Sequence, residues 1–367
     1  MSEWKEVTLD DVAIINPIES LKKGQLAKKI AMESLQPFTK NPSGFSWEEF
    51  NGGMKFRNGD TLVARITPCL ENGKTSYIDI LNEGEIGFGS TEYIVLREKP
   101  QISDKQFLYY FCISPIFRDV AILSMTGSSG RQRVQTDVVR QHLFELPPIK
   151  EQKTIASVLS SLDDKIDLLH RQNKTLEAMA ETLFRQWFVE ELEEDSNTIF
   201  LGDIAYFSNG KSRPEEVPNG SVPIYGGNGI LGYTHQSNSN GFSIIIGRVG
   251  AYCGSLFIEN KPIWISDNAM LAKHINDSSH SYLFYLLKNL RLNEFAEGSS
   301  HPLLTQTLLN SIKIISPSAE KISLFCHETD KWKEKSDFNK LQIETLETLR
   351  DTLLPKLMSG EVRVDYP

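Results

Sequence analysis

One pattern is stated twice in this chain, and the doubling constrains its fold more than any composition does. Each half runs through a Gly- and aromatic-rich β-type segment, a Gly-Ser-Ser loop, a Pro, and then one long helix. The first copy reads NGDTLVARITPCLENGKTSYI, GSTEYIVL and TGSSGRQRVQTDVVRQHLFELPP; the second reads NGFSIIIGRVGAYCGSLFI, ISDNAMLA and EGSSHPLLTQTLLNSIKIISP. A doubled unit in one polypeptide implies an object with pseudo-two-fold character, and so a target with two halves.

The helices carry the strongest periodic signal. From Glu151 to about Phe188, the residues Ile155, Leu159, Leu162, Ile166, Leu169, Asn173, Leu176, Ala180, Leu183 and Trp187 recur in alternating steps of four and three. That is a 3.5-residue period, the mark of a coiled-coil seam. From about Ser318 to Met358 the period returns in Ile322, Phe325, Thr329, Trp332, Ser336, Asn339, Ile343, Leu346, Arg350, Leu353 and Leu357. Paired antiparallel, the two seams place Asn173 near Ser336 and Asn339 as a polar register pin. Pro355 should kink or end the second helix early, and Gly360 should stop it. A helix of roughly 38 residues spans about 57 Å, while half-sites on one face of B-DNA repeat every ~34–36 Å. A rod of that length can hold two domains over two separated short sequences.

An α/β unit precedes each long helix. β-type runs are expected at Thr61–Ile66 and Tyr93–Leu96 in the first, and at Pro223–Tyr225, Ser243–Ile246 and Ser255–Ile258 in the second. DKQFLYYFCISPIFRDVAILS reads as one or two amphipathic helices, with SYLFYLLKNLRLNEFAE as its counterpart. The expected fold class is α+β, with a first α/β domain at 1–148, a helical region at 149–195, a second α/β domain at 196–317 and a second helical region at 318–367. No apolar run reaches membrane-spanning length, so a cytoplasmic protein without a membrane partner is expected. The four cysteines, Cys69, Cys112, Cys253 and Cys326, form no CxxC pair and read as buried free thiols.

Catalytic signals are weak. Gly227–Gly232 matches GxGxxG in form, but turn and strand composition follows it and no acid stands about twenty residues on, so a β-turn cluster fits better than a dinucleotide site. Glu259-Asn260-Lys261 lacks an upstream metal-binding Asp and reads as a hairpin tip. NPSGF at 41–45 has Ser where a base methyltransferase motif needs a second Pro. No metal-binding or nucleophilic grouping emerges from the seven histidines. No catalytic, cofactor or metal site is expected in this chain.

Binding signals are better. The net charge of −9 excludes coating of nucleic acid by bulk charge but leaves room for local basic faces. Each unit sets an Arg in a Gly-flanked β segment, Arg65 and Arg248, and each has a Gly-Ser-Ser loop, at 127–129 and 298–300. Guanidinium groups bind base edges and phosphates bidentately, hydroxyls bond phosphate, and Gly lets backbone approach. The DNA-contact candidates are Arg65, Thr67, Lys74, Ser128, Ser129, Arg131 and Arg133 in the first unit. In the second they are Lys211, Arg213, Asn228, Arg248, Ser299 and Ser300.

These residues carry a family resemblance. LPPIKEQKTIASVLSSLDDKIDLLHRQNKTLEAMAETLFRQWF resembles the first conserved helical region of the specificity subunits of type I restriction-modification systems. The stretch ISPSAEKISLFCHETDKWKEKSDFNKLQIETLETLRDTLLPKLMSGEVRV resembles the second, although it lacks the Pro-Pro and Glu-Gln of the first, and VPIYGGNGILGYT resembles a frequent second-domain segment. The resemblance covers essentially the full length. It implies two target recognition domains, each reading one half of a bipartite sequence in double-stranded DNA, held by an antiparallel coiled coil. It also implies two modification (methyltransferase) subunits, with restriction (motor-nuclease) subunits added for cleavage. S-adenosylmethionine, ATP and Mg would sit on those partners, and this chain would be non-catalytic. A self-contained DNA methyltransferase or nuclease is the alternative.

Overall fold

A computed structural model describes residues 3–191, 197–298 and 301–365. The chain forms two compact units, Met1–His170 with Lys340–Pro367, and Arg171–Asn339. Each unit thus holds one α/β domain and a part of both long helices. The division runs through the helices.

The main sheets of the two α/β parts repeat strand for strand. In the first unit an antiparallel sheet has the order Ala13–Ile15, Tyr93–Glu98, Thr61–Ala64, Thr75–Tyr77; in the second it is Ala205–Asn209, Ala269–His274, Ser243–Gly247, Leu256–Glu259. A smaller sheet accompanies each. In the first, Leu26–Ile30 lies between Ser46–Glu49 and Gly87–Gly89, with Met54–Phe56 beyond; in the second, Val222–Gly226 lies between Gly229–Thr234 and Trp264–Ile265. The same pair is parallel in both, 26–30 with 87–89 and 222–226 with 264–265.

The near-continuous apolar run of each central strand follows from this layering, because both faces are covered. Val63, Ile94 and Leu96 pack toward the helices, while Leu62, Tyr93 and Val95 face a second core with Ile30 and Phe56. In the second unit Ile244, Ile246 and Met270 face the helices, and Ile245 and Ala269 the second core with Tyr225 and Ile265.

The 104–124 segment forms two helices, Lys105–Ile113 and Pro115–Leu123. Asp104 caps the first by accepting from the backbone of Gln106 and Phe107. Ser114, extended because a proline follows, breaks the chain, and Pro115 opens the second. The counterpart helix is His280–Asn289.

The long helices are Ile149–Arg185, continued by a π-turn over Gln186–Glu190, and Ala319–Met358. Every seam position read from the sequence is buried or half-buried. Residues 155, 156 and 159 of the first helix and 354, 357 and 358 of the second enter the first unit's core, and Phe184, Phe188, Phe325 and Cys326 the second's. Within the first unit Ile166 and Leu169 meet Ile343 and Leu346. Within the second, Asn339 donates to Asn173 at 2.8 Å, and Ser336 lies one turn away, half-buried. Pro355 does not end the helix as expected. It stands in the last turn, where only the Asp351 carbonyl loses a partner, and burial of Leu354, Leu357 and Met358 holds that turn in place. Gly360, at φ +75°, follows as the stop.

Polar contacts fix the helix starts. Glu151, fully buried, accepts both nitrogens of a bidentate Arg363 pair at 2.5 and 2.7 Å and the Trp4 indole at 3.2 Å. Gln152 receives the Asp104 amide at 2.9 Å and donates to the carbonyls of Ile102 and Pro147. The second helix lacks this Glu-Gln pair and is capped by Ser318, which accepts from the Lys321 amide. Deeper in the first unit Asp163 and Arg350 form an ion pair at 2.9 Å, 5% and 7% exposed, with the Tyr110 hydroxyl donating to Asp163 at 2.6 Å. Arg350 also donates to the Phe38 carbonyl, and Lys40 pairs with Asp164.

Three cysteines are buried, while Cys69 is half-buried rather than fully enclosed. No helix among the described residues is long and apolar enough to cross a membrane. Burial pushes the His274 imidazole below its ordinary value, helped by neighbouring His280 and opposed by a backbone bond at Asn276. A base lowered in the fold stabilises the folded state fully above the unfolded pKa near 6.5 and less as pH falls through that value. The drop in melting temperature of the full chain between pH 7 and pH 5 should therefore be smaller for His274→Gln than for the parent. Equal drops would show that the ring protonates freely in the fold.

Candidate nucleic-acid interface

Arg65 and Arg248 each stand one residue beyond the buried central strand of their unit, after Thr61–Ala64 and Ser243–Gly247. Their backbones sit in identical frames. The Arg65 amide donates to the Glu92 carbonyl at 2.9 Å, and the Arg65 carbonyl accepts from the Val134 amide at 2.9 Å. The Arg248 amide donates to the Asn268 carbonyl at 3.1 Å, and the Arg248 carbonyl accepts from the Leu304 amide at 2.9 Å. Two residues on, Thr67 donates to Gln132 as Gly250 does to Pro302. Both arginines are half-buried, and the Nε of each is buried without a hydrogen-bond partner. A buried donor left unpaired at the same place in two copies is a feature the frames share beyond their backbone bonds.

The Gly-Ser-Ser loops complete the frames. Thr126 and Arg133 exchange both backbone hydrogen bonds, closing the loop that carries Ser128, Ser129 and Arg131, all exposed. Glu297 and Leu303 do the same in the second unit. Gly127 and Gly298 open the two loops at φ +133° and +92°, and a Cβ on either would lie 3.0 Å from a carbonyl across the loop. Ser299 and Ser300 lie outside the described residues.

The other candidates fall as follows. Arg133 makes a bidentate pair with Glu92, Nε and Nη2 facing its two oxygens at 2.9 and 2.7 Å. That guanidinium, reinforced by nearby Arg65, holds the Glu92 carboxyl below the usual carboxylate range. The Lys74 ammonium bonds the Met32 carbonyl at 3.0 Å. Thr67 lies on the frame next to Met125. Asn228 is exposed at the tip of the hairpin between Val222–Gly226 and Gly229–Thr234, so the GxGxxG-like stretch is a turn leading into a strand. The turn is clamped against the Arg248 strand, because the Ser255 hydroxyl donates to the Gly227 carbonyl and Gly247 leaves no room for a side chain there. Lys211 is exposed and bridges to Ser266, while Arg213 is drawn to Glu216 and the Leu231 carbonyl. Among the basic residues at 22–29, Lys28 is buried against Glu85 and Lys29 pairs with Glu48.

Sequence reasoning did not single out Glu92, Asn268 or Leu303. Their signal was present: in GSTEYIVL and ISDNAMLA, Glu92 and Asn268 each stand directly before the buried strand.

The model for the type I restriction modification DNA specificity domain matches residues 1–178 and again 193–353. Each match covers one domain and most of the helix that follows it. Over 205 residues the chain is 32% identical to the EcoAI specificity subunit of Escherichia coli, which covers 52% of this chain and 35% of that protein. It thus spans about a third of the length of that relative. The HindI specificity subunit of Haemophilus influenzae is 24% identical over 404 residues, covering 83% of this chain and 87% of the other. Among solved structures, the type I restriction-modification S subunit from M. genitalium superimposes with a TM-score of 0.61 at 20% identity, over 97% of this chain and 96% of that one. That likeness establishes the fold, two α/β domains with two long helices. The chain belongs to the type I restriction modification DNA specificity family, whose domain it carries twice.

Proposed function

We propose that this chain is the DNA-reading subunit of a type I restriction-modification complex, with each unit reading one half of a bipartite duplex sequence. The observation that carries this reading is the repeated arginine frame. The same backbone bonds hold Arg65 and Arg248, each with an unpaired Nε, while the side chains around them differ between copies. A common grip with unlike surroundings suits one ligand chemistry read in two different sequences. The chain itself carries no reaction. Two modification subunits dock on the helical regions and supply S-adenosylmethionine chemistry at adenine, and restriction subunits bring ATP- and Mg-dependent cleavage. Acidic balance in the reading subunit is compatible with partners that supply part of the grip on phosphate.

Arg65→Ala and Arg248→Ala test the grip. Each should weaken duplex binding by roughly ten- to hundredfold. If the loss is uniform over sequences and the salt slope falls by about one, the contact is to phosphate; relaxation at one base position marks base readout. Unchanged binding in both variants would make these arginines structural and remove the main support for the proposal.

A further inference from the structure

The two arginine frames carry the same backbone bonds position by position, so they reveal where the copies diverge. Glu92 and Asn268 supply the same backbone carbonyl, to Arg65 and to Arg248. Arg133 and Leu303 occupy the same position on the loop strand: Arg133 pairs with Ile66 and Thr126, and Leu303 with Val249 and Glu297. Two side chains beside each common arginine therefore differ in kind: a carboxylate with a guanidinium in the first unit, an amide with a branched alkyl group in the second. From this geometry we infer that the position pair 92/133, equivalent to 268/303, determines base specificity beside the shared arginine. The first unit reads a G·C pair there and the second an A·T pair. This inference rests on the proposed DNA-reading role.

Donor geometry supports the first half. A guanidinium has five N–H donors in a planar fork. Glu92 takes the Nε side, using Nε and one proton of Nη2. The end-on face, one proton each of Nη1 and Nη2, has the spacing for guanine O6 and N7. The carboxylate fixes the orientation of the arginine, which otherwise has several rotamers, so less freedom is lost on binding. Arg133 is 46% exposed on its side chain, and Glu92 occupies only its Nε side. In the second unit no ion pair forms between the equivalent side chains. Asn268 is exposed, and its amide matches adenine N6 and N7. Leu303 is half-buried and offers an apolar contact to the thymine methyl.

The experiment is selection from random duplex DNA by the full chain, alone and with the modification subunits of its system, for the parent and three variants. The parent should yield a bipartite sequence with a G·C pair in one half. Glu92→Asn with Arg133→Leu should convert that position alone toward A·T, and Asn268→Glu with Leu303→Arg should convert one position of the other half toward G·C. Arg133→Lys keeps the charge but loses the fork, and should lower the preference for G·C there by about tenfold or more. A parent that selects no sequence would overturn the DNA-reading role itself. A parent that selects one while the exchanges leave every position unchanged, or weaken all sequences evenly, would overturn the inference and leave the role standing.

Discussion

Arg350→Ala is expected to destabilise the protein by roughly 3–5 kcal/mol, because it strands a buried carboxylate. Asp163 would keep the Tyr110 hydroxyl but lose its counter-charge in a site where it is only 5% exposed. Desolvation works against the Arg350 charge, and the bonds and charges of Asp163 and neighbouring Asp351 together outweigh it, so the guanidinium is held charged more firmly than usual. Denaturant unfolding of the full chain, followed by a probe in the first unit, gives the number. Arg350→Met combined with Asp163→Leu and Tyr110→Phe should recover most of the loss, since it leaves no buried charge unpaired. A loss below about 1 kcal/mol for the single variant would mean that water reaches the carboxylate.

The second large effect concerns recognition. Exchanging residues 1–147 for the matching region of a relative should change one half of the recognised sequence and leave the other intact, as read by methylation profiling of host DNA. A change in both halves would end the two-module reading. The structure adds a condition to the exchange. Contacts run from this region into both helices: Trp4 to Glu151, Lys40 to Asp164, Asp104 to Gln152, Tyr110 to Asp163, and the Phe38 carbonyl to Arg350. A donor lacking those groups should lose stability as well as exchange specificity. One that keeps them should transfer its half-site cleanly.

Much of this was legible in the chain. The heptad period marks the buried face of both helices, and the Ser-Pro step in the 104–124 segment divides it into two helices, each for a local reason. Arg350 was visible as a charge on an apolar seam. Its partner was not, because Asp163 meets it only through antiparallel pairing of residues far apart in sequence. The same limit hid Glu92 and Asn268, which lie far from the arginines they hold. The early end expected at Pro355 fails for a different reason. A proline's effect on a helix depends on how many turns remain, and the packing of Leu357 and Met358 decides that.

The division of the helices between the units also orders events in time. Residues 171–339 form a continuous stretch, so all of the second unit's chain is present once Asn339 has been synthesised. The first unit begins earlier and finishes last. Until the segment from Lys340 onward emerges, Asp163 has no counter-charge, and the face bearing Ile155 and Leu159 lacks Leu354, Leu357 and Met358. On the ribosome, the first α/β domain waits with an exposed apolar stripe for residues made after the whole second unit, an interval in which aggregation and chaperone capture compete with folding.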